Sequence, residues 1–157
     1  MLSLLVWNDG KPENLHMSNV NAIGLTFMAL GAWTRLMTYH HLGQFFRFEA
    51  SIQKDHELIV SGPYSVVHHP SYTGLILLLG GSFPWYLSRG SYIMELGLWS
   101  TILGKLIVVI YFSLLIVSIW FTVARMSKED IALRNQFRRK WDDWVKRVPC
   151  SLFPGVY

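Results

Sequence analysis

Chemistry-bearing side chains concentrate in two short segments of this sequence. The first runs His56-Glu-Leu-Ile-Val-Ser-Gly-Pro-Tyr-Ser-Val-Val-His-His-Pro-Ser-Tyr-Thr-Gly74. Its Gly62-Pro63 pair marks a turn, and Pro70 suits the first turn of a helix, where the missing N–H has no partner to lose. The exposed N–H groups and positive dipole end of a helix starting there favour an anionic or electron-rich ligand. Tyr64, His68, His69, Ser71 and Tyr72 surround that start with donors and flat rings. The same composition also describes an aromatic belt that anchors a helix at headgroup level. Neither His40-His41 nor His68-His69 makes a chelating pair by itself, because adjacent helical side chains diverge by roughly 100°.

The second segment is Arg125-Met-Ser-Lys-Glu129-Asp130. Arg125 and Glu129 stand four apart and so share a helix face. Such a pair is either a surface ion pair at the end of a helix or the polar half of a site. Beyond it Leu133, Phe137, Trp141, Trp144 and Val148 recur at helical spacing, one apolar stripe flanked by basic residues. A helix of that kind lies in a membrane interface with its cations near the headgroups; a calmodulin-binding helix has a similar pattern.

The elements that must carry these segments follow from hydropathy. The chain has 157 residues, 52% hydrophobic and only 15% charged, against roughly 25% charged in soluble domains. Residues 17–34, 70–88 and 106–124 carry no charge, and a bilayer core of about 30 Å needs ~20 apolar residues as a helix. Three such runs in so short a chain leave little to cover them as a soluble core. Residues 91–104 are apolar except Glu95 and are expected to form an interfacial or re-entrant helix that turns at Gly104-Lys105 into the last span. Each apolar stretch carries two glycines seven apart, Gly24/Gly31, Gly74/Gly81 and Gly97/Gly104, a spacing that marks one helix face for close backbone approach.

Charge gives the orientation. The net +4 equals the balance of eight basic and four acidic residues between Arg125 and Arg147. Basic charge beside apolar sequence points to an anionic membrane surface before nucleic acid, and it places this window and the connection 39–69 on the cytosolic side. Cys150 is the single cysteine, which excludes an internal disulfide and a cysteine-based zinc site. No nucleotide-binding glycine loop is present, since Gly97 to Gly104-Lys105 has the wrong spacing. Residues 1–7 lack a basic n-region and do not resemble a cleaved signal peptide.

The expected fold is therefore all-α: an integral membrane helical bundle of about three transmembrane helices, a re-entrant or interfacial helix and a C-terminal amphipathic helix. Its parts are span 1 at 17–38, a cytosolic connection at 39–69, span 2 at 70–88, the interfacial piece at 91–104, span 3 at 105–124, and a cytosolic helix and tail at 125–157, all within one domain.

Read as motifs, the chain has Leu42-Gly43-Gln-Phe-Phe46, His56-Glu-Leu58, Gly62-Pro-Tyr64, His68-His69-Pro70-Ser-Tyr72-Thr-Gly74 and Arg125-Met-Ser-Lys-Glu129-Asp130, closing on an aromatic, basic tail. In this order and spacing it resembles the isoprenylcysteine carboxyl methyltransferases and their phospholipid methyltransferase relatives, as a short, fungal-like member. Two departures stand out. His68 occupies a place where the family pattern has Arg, removing a permanent charge. Asp130 replaces a second Glu and shortens the carboxylate's reach. The extra N-terminal spans of many relatives are absent, as in a minimal or truncated member.

The resemblance implies methyl transfer from S-adenosylmethionine to the C-terminal carboxylate of a prenylated cysteine at the cytosolic membrane face. It assigns Tyr64, His68, His69, Pro70, Ser71, Tyr72, Glu129 and Asp130 to the cofactor, and Arg125, Glu129 and His68 to catalysis. Arg125 would hold a carboxylate, the cofactor's or the substrate's, and a His68 in the place of Arg would make carboxylate affinity sensitive to pH. The implied partners are a prenylated protein or peptide C-terminus and membrane lipids, with no nucleic acid and no metal. The implied location is the endoplasmic reticulum membrane, multi-pass, with a cytosolic C-terminus. Methylation of a phospholipid or lipid-like metabolite, sterol reduction on a related scaffold, and a non-catalytic membrane scaffold are the alternatives.

Overall fold

The strongest apolar run, 106–124, sits inside the longest helix. The structure, a computed structural model, describes residues 11–43 and 57–155. Every regular element among them is helical: α1 (Asn19–Leu42), α2 (Pro70–Leu87), α3 (Tyr92–Glu95), α4 (Ile102–Phe137) and α5 (Arg139–Arg147), with 3-10 turns at Pro12–Asn14, Gly62–Ser65 and Leu98–Ser100. His56 and the Gln44–Phe46 part of the Leu-Gly motif lie outside the described residues, as does much of the connection 39–69.

At 1.5 Å per residue the 36 residues of α4 reach about 54 Å, roughly 24 Å more than a hydrocarbon core. The apolar run and the charged segment that follows it thus belong to one helix, which carries Arg125, Glu129 and Asp130 in its C-terminal half. Along the apolar part the large side chains face outward: Ile102, Leu106, Ile110, Leu114, Trp120 and Phe121 are all exposed, and only 6% of its most apolar window is buried. So much contiguous apolar surface is compatible with lipid and not with water, which gives the protein its membrane character. Among the described residues α4 is the one helix long and apolar enough to cross a bilayer by length and composition. In α2 glycines, prolines and aromatic residues dilute the hydropathy, and in α1 polar residues do the same.

Residues 91–104 depart from the expectation. They are not one interfacial or re-entrant helix but the single turn α3, the 3-10 turn Leu98–Ser100 and the start of α4. Gly97 breaks the stretch with a positive φ of 75°. Gly104-Lys105 is no turn, since α4 begins at Ile102 and runs straight through it. The Gly97/Gly104 pair therefore marks no helix face.

The chain divides into two compact units, to each of which α1, α2 and α4 contribute a segment. In the first unit, built from 11–30 and 77–118, Gly24 and Gly81 meet so closely that a Cβ on Gly81 would lie 2.6 Å from the Gly24 carbonyl oxygen. Asn21 donates through Nδ2 to the Trp85 carbonyl at 2.7 Å, and Phe83 packs on Phe112 with ring centroids 4.6 Å apart. Glu95, odd in an apolar stretch, accepts from the Gly90 N–H at 2.9 Å and closes the turn after α2.

In the second unit, built from 31–43, 57–76 and 119–155, Gly31 and Gly74 make the corresponding approach, with 2.7 Å between a Cβ on Gly74 and the Gly31 carbonyl oxygen. Its core is aromatic: Trp141, Trp144 and Val148 are buried, with Leu58, Tyr64, Leu133, Phe137 and Val145 packed around them. The apolar stripe expected to lie on the membrane thus faces the protein's own interior. Nor is it carried by one helix, because Arg138, at φ 46°, ends α4 and turns the chain into α5.

Candidate active site

All the site residues named from the sequence belong to the second unit. Gly62 has a positive φ of 61°, and the His41 imidazole lies where its Cβ would stand, so glycine is required on both counts. The turn that follows brings Tyr64 against the tryptophan core, where the Trp144 indole N–H donates to the Tyr64 carbonyl at 3.1 Å. Burial and the nearby Glu129 charge push the Tyr64 phenol well above its ordinary pKa, so it stays neutral.

The start of α2 differs from the open anion site expected there. Pro70 has no N–H and is fully buried. The Tyr72 and Thr73 N–H groups turn back onto the His69 carbonyl. The His68 and His69 N–H groups donate to the carbonyls of Cys150 and Ser151, each at 3.0 Å, and the Thr73 hydroxyl donates to the Leu152 carbonyl. Residues 148–152 therefore form a strap that uses these donors.

His68 and His69 diverge, and so do their roles. The buried His68 ring lies 4.8 Å from Trp144 and 5.8 Å from Trp141, and its Nε2 donates to the Val148 carbonyl at 2.5 Å. Burial lowers its pKa below the ordinary value, against a smaller raising effect of that carbonyl and of Asp130, so the ring is held neutral and fixes the strap. His68, expected from the sequence to meet a carboxylate in the place of Arg, has its Nε2 on backbone and its ring against the tryptophan core in this structure. His69 points to the carboxylates instead. Its Nε2 donates to Asp130 Oδ1 at 2.8 Å, its Nδ1 lies 4.0 Å from Glu129 Oε2, and its ring stacks on Tyr72 at 5.5 Å with 22° between planes.

Glu129 is the hub. Its Oε1 accepts from the Tyr72 hydroxyl at 2.7 Å and from Arg125 Nε at 2.8 Å. Among the described residues Glu129 Oε2 and Asp130 Oδ2 accept no hydrogen bond, and the two side chains are 22% and 34% exposed. Two adjacent carboxylates with spare lone pairs fit hydroxyl or ammonium donors of a ligand, and the stacked His69 and Tyr72 rings add a flat apolar wall. The structure thus gathers Tyr72, His69, Arg125, Glu129 and Asp130, borders them with Tyr64 and Pro70, and leaves His68 aside. Ser71 takes part through its carbonyl, which accepts from Arg35 Nη1 at 3.2 Å. Arg35 and Tyr39 were not singled out by the motifs. Their signal was the lone charge that ends the first uncharged run, four residues before a tyrosine.

The sequence profile of the isoprenylcysteine carboxyl methyltransferase (ICMT) family matches residues 22–135. This chain belongs to that family. It is 28% identical to a protein-S-isoprenylcysteine O-methyltransferase of Schizosaccharomyces pombe over 88% of this chain and 52% of that protein. To the enzyme of that name from Rattus norvegicus it is 29% identical, over 90% of this chain and 44% of the relative. A Delta(14)-sterol reductase of Mus musculus matches at 31% identity over 64% of this chain and 20% of its own length. The chain spans about half the length of the methyltransferases it matches. No solved structure matches it. The family's profile ends inside α4, two residues before Phe137, so it contains both carboxylates while the strap lies beyond it.

Proposed function

We propose that the protein is an S-adenosylmethionine-dependent methyltransferase that esterifies the C-terminal carboxylate of a prenylated cysteine at the cytosolic face of the endoplasmic reticulum membrane. The observation that carries the reading is the meeting of Tyr72, Arg125 and His69 with Glu129 and Asp130, at the point where α2 begins and the apolar part of α4 ends. S-adenosylmethionine, when bound, supplies a methyl group on a sulfonium. Glu129 and Asp130 would hold its hydroxyl or ammonium donors, the His69–Tyr72 stack would flank its flat part, and Arg125 would face the cofactor's own carboxylate.

An acceptor carboxylate is already ionised at neutral pH and needs no general base. The methyl group that the cofactor would supply would turn that carboxylate into a neutral ester, with no proton to remove. The residues of this chain therefore contribute alignment and exclusion of water. A site beside an exposed apolar helix suits a polar cofactor arriving from water and a prenyl chain arriving from lipid. Three membrane crossings, with α1 and α2 beside α4, complete this reading.

The test is binding, then transfer. S-adenosylhomocysteine should raise the thermal stability of the purified protein in detergent, and radiolabelled methyl should pass to an S-farnesyl cysteine in preference to phosphatidylethanolamine. Absence of any shift at saturating ligand would refute the reading; a shift with NADPH instead would favour the reductase relation. Glu129→Gln, which keeps the shape and removes the charge, should weaken S-adenosylhomocysteine at least about tenfold, the scale of a lost charged hydrogen bond, and leave the protein in the membrane fraction.

A further inference from the structure

The cations around this site are not equally committed. Arg125 is already paired through Nε with Glu129 at 2.8 Å, and His68 donates to the Val148 carbonyl within the tryptophan core. Arg35, half-buried on α1, has no carboxylate within ion-pair distance among the described residues. Its guanidinium is nevertheless held in one place. Nη1 donates to the Ser71 carbonyl at 3.2 Å, Nη2 donates to the Tyr39 hydroxyl, and the carbon between them lies 5.2 Å from the centre of the Tyr39 ring. The side chain crosses the Gly31–Gly74 contact, where a Cβ on Gly74 would come within 2.8 Å of Arg35 Cγ. Two of its five N–H donors are used in this way, which leaves three. Ser71, which it grips, stands between Pro70 and the Tyr72 that bonds Glu129. A half-buried cation with no counter-charge attracts an anion, and a planar guanidinium with donors to spare matches a carboxylate in geometry as well as in charge.

We propose that Arg35 is the residue that receives the acceptor's carboxylate, supplying from α1 the permanent charge that His68 does not provide; this rests on the methyltransferase reading above. A second consequence concerns product. Transfer converts the carboxylate to a neutral ester, so the group that holds the acid has nothing to hold afterwards, and the ester is released from a site with a bare cation.

The experiment compares an S-farnesyl cysteine acid as substrate with its methyl ester as inhibitor. The wild type should bind the acid at least about tenfold more tightly than the ester, the scale of one charge-assisted contact. Arg35→Gln should raise KM for the acid by a similar factor, leave inhibition by the ester and the S-adenosylhomocysteine shift unchanged, and so abolish the preference. Arg35→Lys should restore part of it. A merely structural role, bridging α1 to α2 through Ser71, would weaken acid and ester together, and that result overturns the assignment. Where Arg35→Gln fails to fold, shown by loss of the shift, Arg35→Lys carries the same test with a reduced acid preference. No transfer by the wild type refutes the methyltransferase reading itself; transfer with the acid preference intact in both variants refutes this inference alone.

Discussion

Two neighbouring histidines differ in what each ring meets. His69 reaches carboxylates, while His68 is buried and donates to a carbonyl. The second fact has a pH consequence. Burial lowers the folded-state pKa of His68, so below about 6.5 the unfolded chain binds a proton that the folded chain resists. Stability should therefore be full above that pH and fall as pH drops from there towards the depressed folded value. Thermal melting in detergent between pH 7.5 and 5.5 should show this slope, and His68→Gln, which cannot titrate, should flatten it; an unchanged slope refutes the assignment. At this scale the sequence revealed which residue types gather but not which atoms are spent. The His-His-Pro-x-Tyr-x-Gly and Arg-x-x-x-Glu-Asp motifs name His69, Tyr72, Arg125 and Glu129 directly. That His68 turns away depends on Trp141, Trp144 and Val148, residues up to 80 positions later, and no local pattern reports a contact of that range.

Among the elements, glycine spacing foretold the close contacts of α1 and α2 and failed for the third pair. Seven-residue pairs within a helix do share a face, and Gly24 and Gly81 meet, as do Gly31 and Gly74. Gly97 lies outside any α-helix, so the same spacing means nothing there. The contrast within α2 gives a sharp test. A Cβ on Gly81 would press on the Gly24 backbone at 2.6 Å, whereas one on Gly80 meets nothing within 4 Å. Gly81→Ala should destabilise by about 1–3 kcal/mol through overpacking. Gly80→Ala should be neutral or stabilising by up to about 1 kcal/mol, because alanine loses less entropy in a helix. Comparing the two melting temperatures checks both. The periodic stripe from Leu133 to Val148 was legible as apolar and helical, but its bend at Arg138 was not, since nothing in a basic run announces a positive φ. Its burial against Tyr64 and Leu58 followed from tertiary packing that periodicity alone does not assign to protein or lipid.

For the molecule as a whole, membrane character was legible from composition, because α4 holds its apolar side chains outward. The strap was not. Residues 148–152 reach back to cover donors at the start of α2, and the tryptophan core beneath them holds the strap down. Replacing Trp144 by Ala removes the indole donor to Tyr64 and opens a cavity, a change typically costing about 3–5 kcal/mol in a core. The His68 and His69 amides should then exchange with deuterium faster, while amides in the middle of α4 keep their protection. Hydrogen-exchange mass spectrometry on lipid-embedded protein checks this. Equal acceleration throughout would mean that the strap and the membrane helix unfold as one.

That strap also imposes an order on biosynthesis. The ribosome makes the first turn of α2 about 80 residues before the carbonyls that complete it, and α4 emerges in between. Helices inserted as they are made would be in the bilayer while the cap of α2 had yet to be translated. Membrane insertion and assembly of the strap are then separate milestones, and a chain interrupted before residue 148 would be lodged in the membrane with the donors of His68, His69 and Thr73 still uncovered.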